Sequence, residues 1–392
     1  MDIIKECKKI NEKIITHRRQ LHSMAEVGFD LPRTSAYIFD TLASLGYSPR
    51  RIAGCGVSAD IGDVSGDVIL LRADIDALPI KEETGLKFAA QNGNMHACGH
   101  DMHAAMLLGA AEIIMKEKEK LKAGVRLLFQ PAEELLEGAV ACIKEGVLDG
   151  VGAAFMLHCL TSLPLPCGTA IVSSPGVGAP GAVYFDIDIL GEAAHGAMPS
   201  LGIDPIYPMA QIVNGIYHIR SHELSSTDPS VLSIGRIAGG SASNALADKV
   251  TASGTLRSYE KEKIELMKKR IWEISESIAR AYGAHAKVSF PRSCPPLLNN
   301  EELSRGAFRL LREIIPNALL SDELKRGAPS GSEDFAYISE RAPSLMIGLC
   351  AGESSKGYEH PLHHPKCDFD EDALHIGAAI YASIALENKK KV

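Results

Sequence analysis

Apolar and polar positions along the chain follow two periods, and the period changes twice. Over residues 1–48 apolar side chains recur at helical spacing, around Ile10, Ile14 and Leu21 and again around Ala36, Ile38, Leu42 and Leu45. That spacing predicts helix, connection, helix. Asp67-Val68-Ile69-Leu70-Leu71-Arg72-Ala73-Asp74 then reads as a short buried strand, followed by a helix from His103 to about Lys120 and a second strand over 125–130. A helix over 139–145 and a third strand over 153–157 repeat the alternation. Strands alternating with helices predict an α/β domain with a mostly parallel sheet flanked by helices. In such sheets the working residues gather beyond the carboxyl ends of the strands.

From about residue 182 the period becomes two. Val183-Tyr184-Phe185-Asp186-Ile187-Asp188-Ile189 alternates as a half-exposed strand does. A helix (205–221), two strands (231–237 and 250–257), a long amphipathic helix (261–281) and a strand (286–290) complete the unit. The order β-α-β-β-α-β is that of ferredoxin-like domains. Trp272, the only Trp, is assigned to the apolar face of the long helix as a packing residue. After Pro295-Pro296 the earlier pattern returns, with a buried strand over 343–348 and a closing helix over 372–386. The expected organisation is a discontinuous domain, residues 1–181 with 293–392, carrying an inserted domain over 182–292.

A length of 392 residues exceeds one ordinary core and agrees with two domains. The net charge of -8, with no basic stripe beyond the Lys389-Lys390-Lys391 tail, argues against a nucleic-acid partner. The N-terminal segment lacks a continuous apolar run, so neither a signal peptide nor a membrane span is expected. Nine scattered cysteines fit reduced thiols, hence a cytoplasmic location.

The chemistry concentrates on one loop. His96, Cys98, His100, Asp101 and His103 fall within eight positions between a predicted strand and a predicted helix. Thiolate, imidazole and carboxylate together suit zinc and related divalent ions. A helix N-terminus accounts for Asp101 as a cap but not for Cys98 and His100. Other polar groups sit at strand ends of the same sheet: Asp74 and Asp76, the pair Glu133-Glu134, His158, and His363-His364 in the last loop. Adjacent carboxylates permit a division of labour, one binding metal while its neighbour takes a proton from the attacking water. Asp74 and Asp76 are candidates to orient a ligating imidazole. In the inserted domain, His195 lies in a loop of small residues, and Asn244 and Arg257 are polar candidates for holding a carboxylate. Two motifs lead nowhere. Gly176-Val177-Gly178-Ala179-Pro180-Gly181 follows no clear strand and opens no helix, so it reads as a linker and not a dinucleotide loop. No G-x-S-x-G nucleophile elbow is present.

The segments H-R-R-Q-L-H (17–22), L-R-A-D-I-D-A-L-P (71–79), H-A-C-G-H-D-M-H (96–103), F-Q-P-A-E-E (129–134), G-E-A-A-H-G-A-M-P (191–199), G-S-E-D-F (331–335) and H-H-P-K-C-D-F (363–369) span nearly the whole chain. Together they resemble the N-acyl-amino-acid amidohydrolases, of the hippurate hydrolase, indole-acetyl-amino-acid hydrolase and N-acetyl-diaminopimelate deacetylase type, within the aminoacylase and carboxypeptidase metallopeptidases. The resemblance implies Cys98, His100, Glu134, His158 and His363 as ligands of two divalent ions, with His364 the neighbouring alternative to His363. The ions would be zinc or manganese, with cobalt or nickel as alternatives. Glu133 would be the general base, and His195 the lid-domain residue that reaches the partner subunit's site in dimers. The inserted domain would be the lid and dimerisation domain, giving a homodimer or a higher oligomer. Ser200 and Cys159-Leu160 depart from the family pattern around the acyl pocket. The expected activity is hydrolysis of the amide bond of a small N-acyl amino acid. The alternatives are a dipeptidase or carboxypeptidase on the same metal core, or a metal-binding protein without turnover.

Overall fold

The computed structural model describes residues 2–324 and 331–387; the Lys389–Lys391 tail lies outside them. The chain divides into two compact units, one of Met1–Gly178, Leu298–Pro329 and Asp334–Val392, the other of Ala179–Leu297 and Ser330–Glu333.

The larger unit is built on an eight-stranded mixed sheet. Val68–Asp74 and Gly124–Gln130 are buried at every position, which is why they read as unbroken apolar runs instead of alternations. They pair in parallel, and parallel pairing continues from Val68–Asp74 to Val151–Leu160 and on to Ser344–Cys350. These four strands form the parallel centre and send their carboxyl ends to one rim. The flanks are mostly antiparallel: Arg50–Ile52 pairs with Gly56–Ile61, which pairs with Gly124–Gln130, and Ala170–Val172 pairs with Ser344–Cys350, while the edge strand Leu319–Leu320 joins Ala170–Val172 in parallel. Those four flanking strands have only two to six residues, too few to set a readable period.

The helix expected from His103 begins three residues earlier, as His100–Lys116, and its far end becomes the separate turn Lys118–Lys120. Gly99 explains the early start. Its φ of +86° makes the left-handed entry that a side chain resists, and a Cβ there would stand 2.9 Å from Phe369 Cζ. The helix packs against Asn11–Met24 and Leu374–Leu386, and all but three of its residues are buried. The division between the units falls within Gly176–Gly181, as expected of a linker, and Gly176–Ala179 in it is also a short strand paired with Leu297–Asn299. Its two glycines leave Gly176–Ala179 few side chains to pack, so this strand has little apolar signature.

The smaller unit is a four-stranded antiparallel sheet in the order His285–Cys294, Gly181–Leu190, Lys249–Ser258, Val231–Gly239. Ile206–His218 and Lys261–Ala281 pack on it, with Phe185, Ile187, Ile212, Ile216, Met267 and Ile271 in their shared core. This is the β-α-β-β-α-β arrangement. Trp272 is a correction: it is 52% exposed. The buried stripe of its helix runs Ile264, Met267, Ile271, Ser275, Ala279, and Trp272 stands about 100° around from Ile271. Among the described residues no helix is long and apolar enough to cross a membrane.

Candidate functional site

The parallel strands deliver their polar ends to one place. Asp74 closes one strand and Asp76 follows it; Gln130 closes the next, and Glu133 and Glu134 come after Pro131 and Ala132. His158 lies near the end of Val151–Leu160. His100 is the first residue of its helix and Cys98 precedes it by one glycine.

Cys98, His100 and His158 present ligand atoms within 4.8 Å of one another, and so do Cys98, Glu134 and His363. Cys98 Sγ is 3.6 Å from His158 Nε2, and His363 Nε2 is 3.4 Å from Glu134 Oε1. The two trios share the thiolate, as neighbouring cation sites with one common ligand would. The remaining ring nitrogens have committed partners. His100 Nδ1 donates to the Asp76 carbonyl at 2.8 Å, and His158 Nδ1 donates to the Cys159 carbonyl at 2.8 Å. Each bond turns an Nε2 toward the cluster. His100 Nε2 and Glu134 Oε1 are buried with no hydrogen-bond partner. Buried polar atoms without partners call for a missing one, and a soft thiolate with imidazoles and a carboxylate suits a divalent cation.

Glu133 sits beside this cluster. Its Oε2 is 3.9 Å from His100 Nε2, and it forms a further ligand-type trio with His100 and Glu134. Asp76 holds both glutamates by their main chain, accepting from the Glu133 N–H at 3.0 Å and the Glu134 N–H at 3.2 Å. So Asp76 orients an imidazole through its carbonyl while its carboxylate fixes the glutamate pair.

Asp74 orients His103 instead of a candidate ligand. Its Oδ1 accepts from His103 Nδ1 at 2.6 Å and its Oδ2 from Arg72 Nη1 at 2.7 Å. His103 Nε2 in turn accepts from the Cys159 N–H at 2.8 Å. With every ring nitrogen and carboxylate oxygen engaged, Asp74 and His103 form a hydrogen-bonded frame and not a cation site. Burial alone would raise Asp74, but His100, Arg72 and His103 hold it well below the usual carboxylate range. Burial drives His103 down to about 4 despite Asp74. For His100, burial is outweighed by Asp74, Asp76 and Glu134, which push it up to about 10. A site this negative favours a cation.

Asp101 does not cap its helix by a side-chain hydrogen bond, contrary to expectation. It accepts instead from Arg18 Nε at 3.0 Å and pairs with His22 Nδ1 at 2.8 Å, which ties the Asn11–Met24 helix to the start of His100–Lys116. His96 is buried and makes no hydrogen bond through either ring nitrogen. Of the two neighbouring histidines, His363 faces Glu134, whereas His364 stacks on His360 at 4.3 Å and accepts from the Lys366 N–H. His363 has a φ of +65°, a strained value for a non-glycine residue of the kind that gathers at functional sites.

In the smaller unit His195 and Asn244 are brought together: the His195 and Ala245 backbones bridge, and the Gly196 N–H donates to the Asn244 carbonyl at 2.7 Å. Both side chains are exposed. Arg257 lies on the central strand Lys249–Ser258 and donates through Nη1 to Ser332 Oγ at 2.7 Å. The polar group around Arg72, Gln130 and Asp334 has no counterpart among the residues expected from sequence. The one signal is the motif G-S-E-D-F at 331–335, but nothing local says that the partner of Asp334 lies 262 residues away.

Residues 70–387 match the profile of Peptidase family M20/M25/M40. The chain is 38% identical over 370 residues to the N-acetyl-L-cysteine deacetylase of Bacillus subtilis, covering 93% of this chain and 85% of that protein. It is 34% identical over 404 residues to thermostable carboxypeptidase 1 of Saccharolobus solfataricus, covering all of both. A solved Bacillus subtilis structure, described as a dinuclear metal binding peptidase from the M20 family, superposes with a TM-score of 0.78 at 31% identity, over 97% of this chain and 98% of that one.

Proposed function

The chain belongs to Peptidase family M20/M25/M40, and from that premise we propose that it hydrolyses the amide bond of N-acyl amino acids, releasing a carboxylate and a free amino acid. The observation that carries the reading is the pair of trios sharing Cys98, with Glu133 beside them. The N-acetylcysteine-cleaving relative supports the substrate class.

Cys98, His100, Glu134, His158 and His363 would hold two divalent ions; the thiolate favours zinc, with manganese, cobalt or nickel as alternatives. When bound, the ions supply Lewis acidity at the scissile carbonyl. Glu133 takes the proton of the attacking water and passes it to the leaving nitrogen, so that the amine departs neutral. His195 donates toward the developing oxyanion, and Arg257 with Asn244 holds the substrate carboxylate. The smaller unit serves as lid and dimerisation domain. Eleven of the fifteen exposed large apolar side chains among the described residues fall in it, and Val231–Gly239 is a sheet edge with Val231 and Ile237 exposed. An uncovered apolar edge of that kind supports pairing with a second copy. Nine free cysteines support a reducing, cytoplasmic setting.

Glu133→Gln keeps the shape and the metal ligands but cannot accept a proton. Its turnover of an N-acetyl amino acid should fall about 10²–10⁴-fold with metal content unchanged; full activity would overturn the assignment. The carboxypeptidase relative favours a second reading, cleavage of dipeptides on the same core. Comparing kcat/KM on N-acetyl amino acids and dipeptides separates the two, and the first reading predicts the higher value for the acetylated substrates.

A further inference from the structure

One polar cluster lies directly behind the proposed base. Arg72 and Asp334 are both 0% exposed. Arg72 Nη2 donates to Asp334 Oδ1 at 2.9 Å, while its Nη1 reaches Asp74 Oδ2 at 2.7 Å. Gln130 Nε2 donates to both Asp334 oxygens, at 2.8 and 2.9 Å, and the Ala139 N–H donates to Oδ2 at 2.8 Å. Two strands and the first turn of the Gly138–Lys144 helix therefore converge on one carboxylate. That helix start is pressed close: a Cβ on Gly138 would lie 1.7 Å from the Pro131 carbonyl oxygen. The main chain of Asp334 in turn directs its N–H at Glu133 Oε1, 3.4 Å away.

Burying an ion pair is a weak source of stability, since packed apolar side chains of the same volume do as well or better. Precise placement is a different matter, because reactivity depends steeply on where the reacting group is held. We propose that Asp334 is a positioning residue for Glu133, its side chain anchored on Arg72, Gln130 and Ala139 so that its own N–H fixes the Glu133 carboxylate. Arg72 also holds Asp74, and Asp74 holds His103. One guanidinium thus ties the proposed base to the frame of the metal loop.

The proposal rests on Glu133 acting as the base, and a double-mutant cycle separates the two claims. Glu133→Gln, Asp334→Asn and the double variant are assayed as metal-loaded enzyme on an N-acetyl amino acid, with metal content and KM recorded. Asp334→Asn should lower kcat about tenfold or more, with KM within about twofold and metal content unchanged. In the Glu133→Gln background the same change should cost nothing further, because positioning an absent base has no value. Equal losses in both backgrounds mean general damage to the fold and overturn the proposal; so does an unchanged kcat in Asp334→Asn. A fully active Glu133→Gln variant removes the base assignment and this inference with it, and it does so in a variant where Asp334 is intact. If Asp334→Asn does not fold, Gln130→Met leaves the Arg72–Asp334 pair in place and is read by the same cycle. A kcat loss confined to the background with Glu133 supports the proposal, and an equal loss or none contradicts it.

Discussion

The two units treat polar side chains in opposite ways. In the larger unit Arg72, Asp74, His103 and Asp334 are fully buried and bonded to one another. In the smaller unit His195 and Asn244 are exposed, on loops joined by backbone bonds. The proposed ligands and base, apart from the exposed His363, sit where packing and hydrogen bonds lock their rotamers. His195 and Asn244, proposed to meet substrate only when it arrives, are left on the surface, where holding them adds little to the fold. The larger unit therefore couples chemistry to stability, and the smaller one separates them.

The largest expected effect tests that coupling. Arg72→Ala leaves Asp74 and Asp334 buried without their cation, and urea unfolding should show a loss of about 3–5 kcal/mol. A loss under about 1 kcal/mol would mean that the buried charges are not structurally tied, and the comparison would fail on its strong side. His195→Ala probes the other side. Its kcat should drop about 10²-fold, while stability shifts by less than about 0.5 kcal/mol and metal content stays the same. A destabilisation of about 2 kcal/mol or more would show that the exposed loop is structural after all.

Much of the frame was legible in the sequence, and for local reasons. Val68–Asp74 and Gly124–Gln130 are buried on both faces, so their apolar runs are continuous. The crowding of Cys98 and His100 on one loop exposed the candidate ligands before any fold was known. The less legible features depend on distance or on backbone. Gly99 starts the helix early through its φ, which composition does not reveal. Trp272 lies one position from the buried Ile271, and a one-residue offset on a helix is enough to turn a side chain outward. Asp101 looks like a cap but answers to Arg18 and His22 on another helix. Arg72 meets Asp334 only because the sheet brings together residues 262 positions apart, and a pairing of that span leaves no periodic trace.

The cluster around Cys98 is proposed to hold metal, and hydrolysis to depend on it. The direct measurement is turnover of an N-acetyl amino acid by chelator-stripped protein during stepwise return of a single divalent ion, with bound metal counted at each step. The account predicts negligible activity in the stripped protein and recovery that saturates at two ions per chain. It further predicts that Cys98→Ala, which removes the ligand common to both trios, binds fewer ions and does not recover. Undiminished turnover in stripped protein, or full recovery in Cys98→Ala, would contradict it.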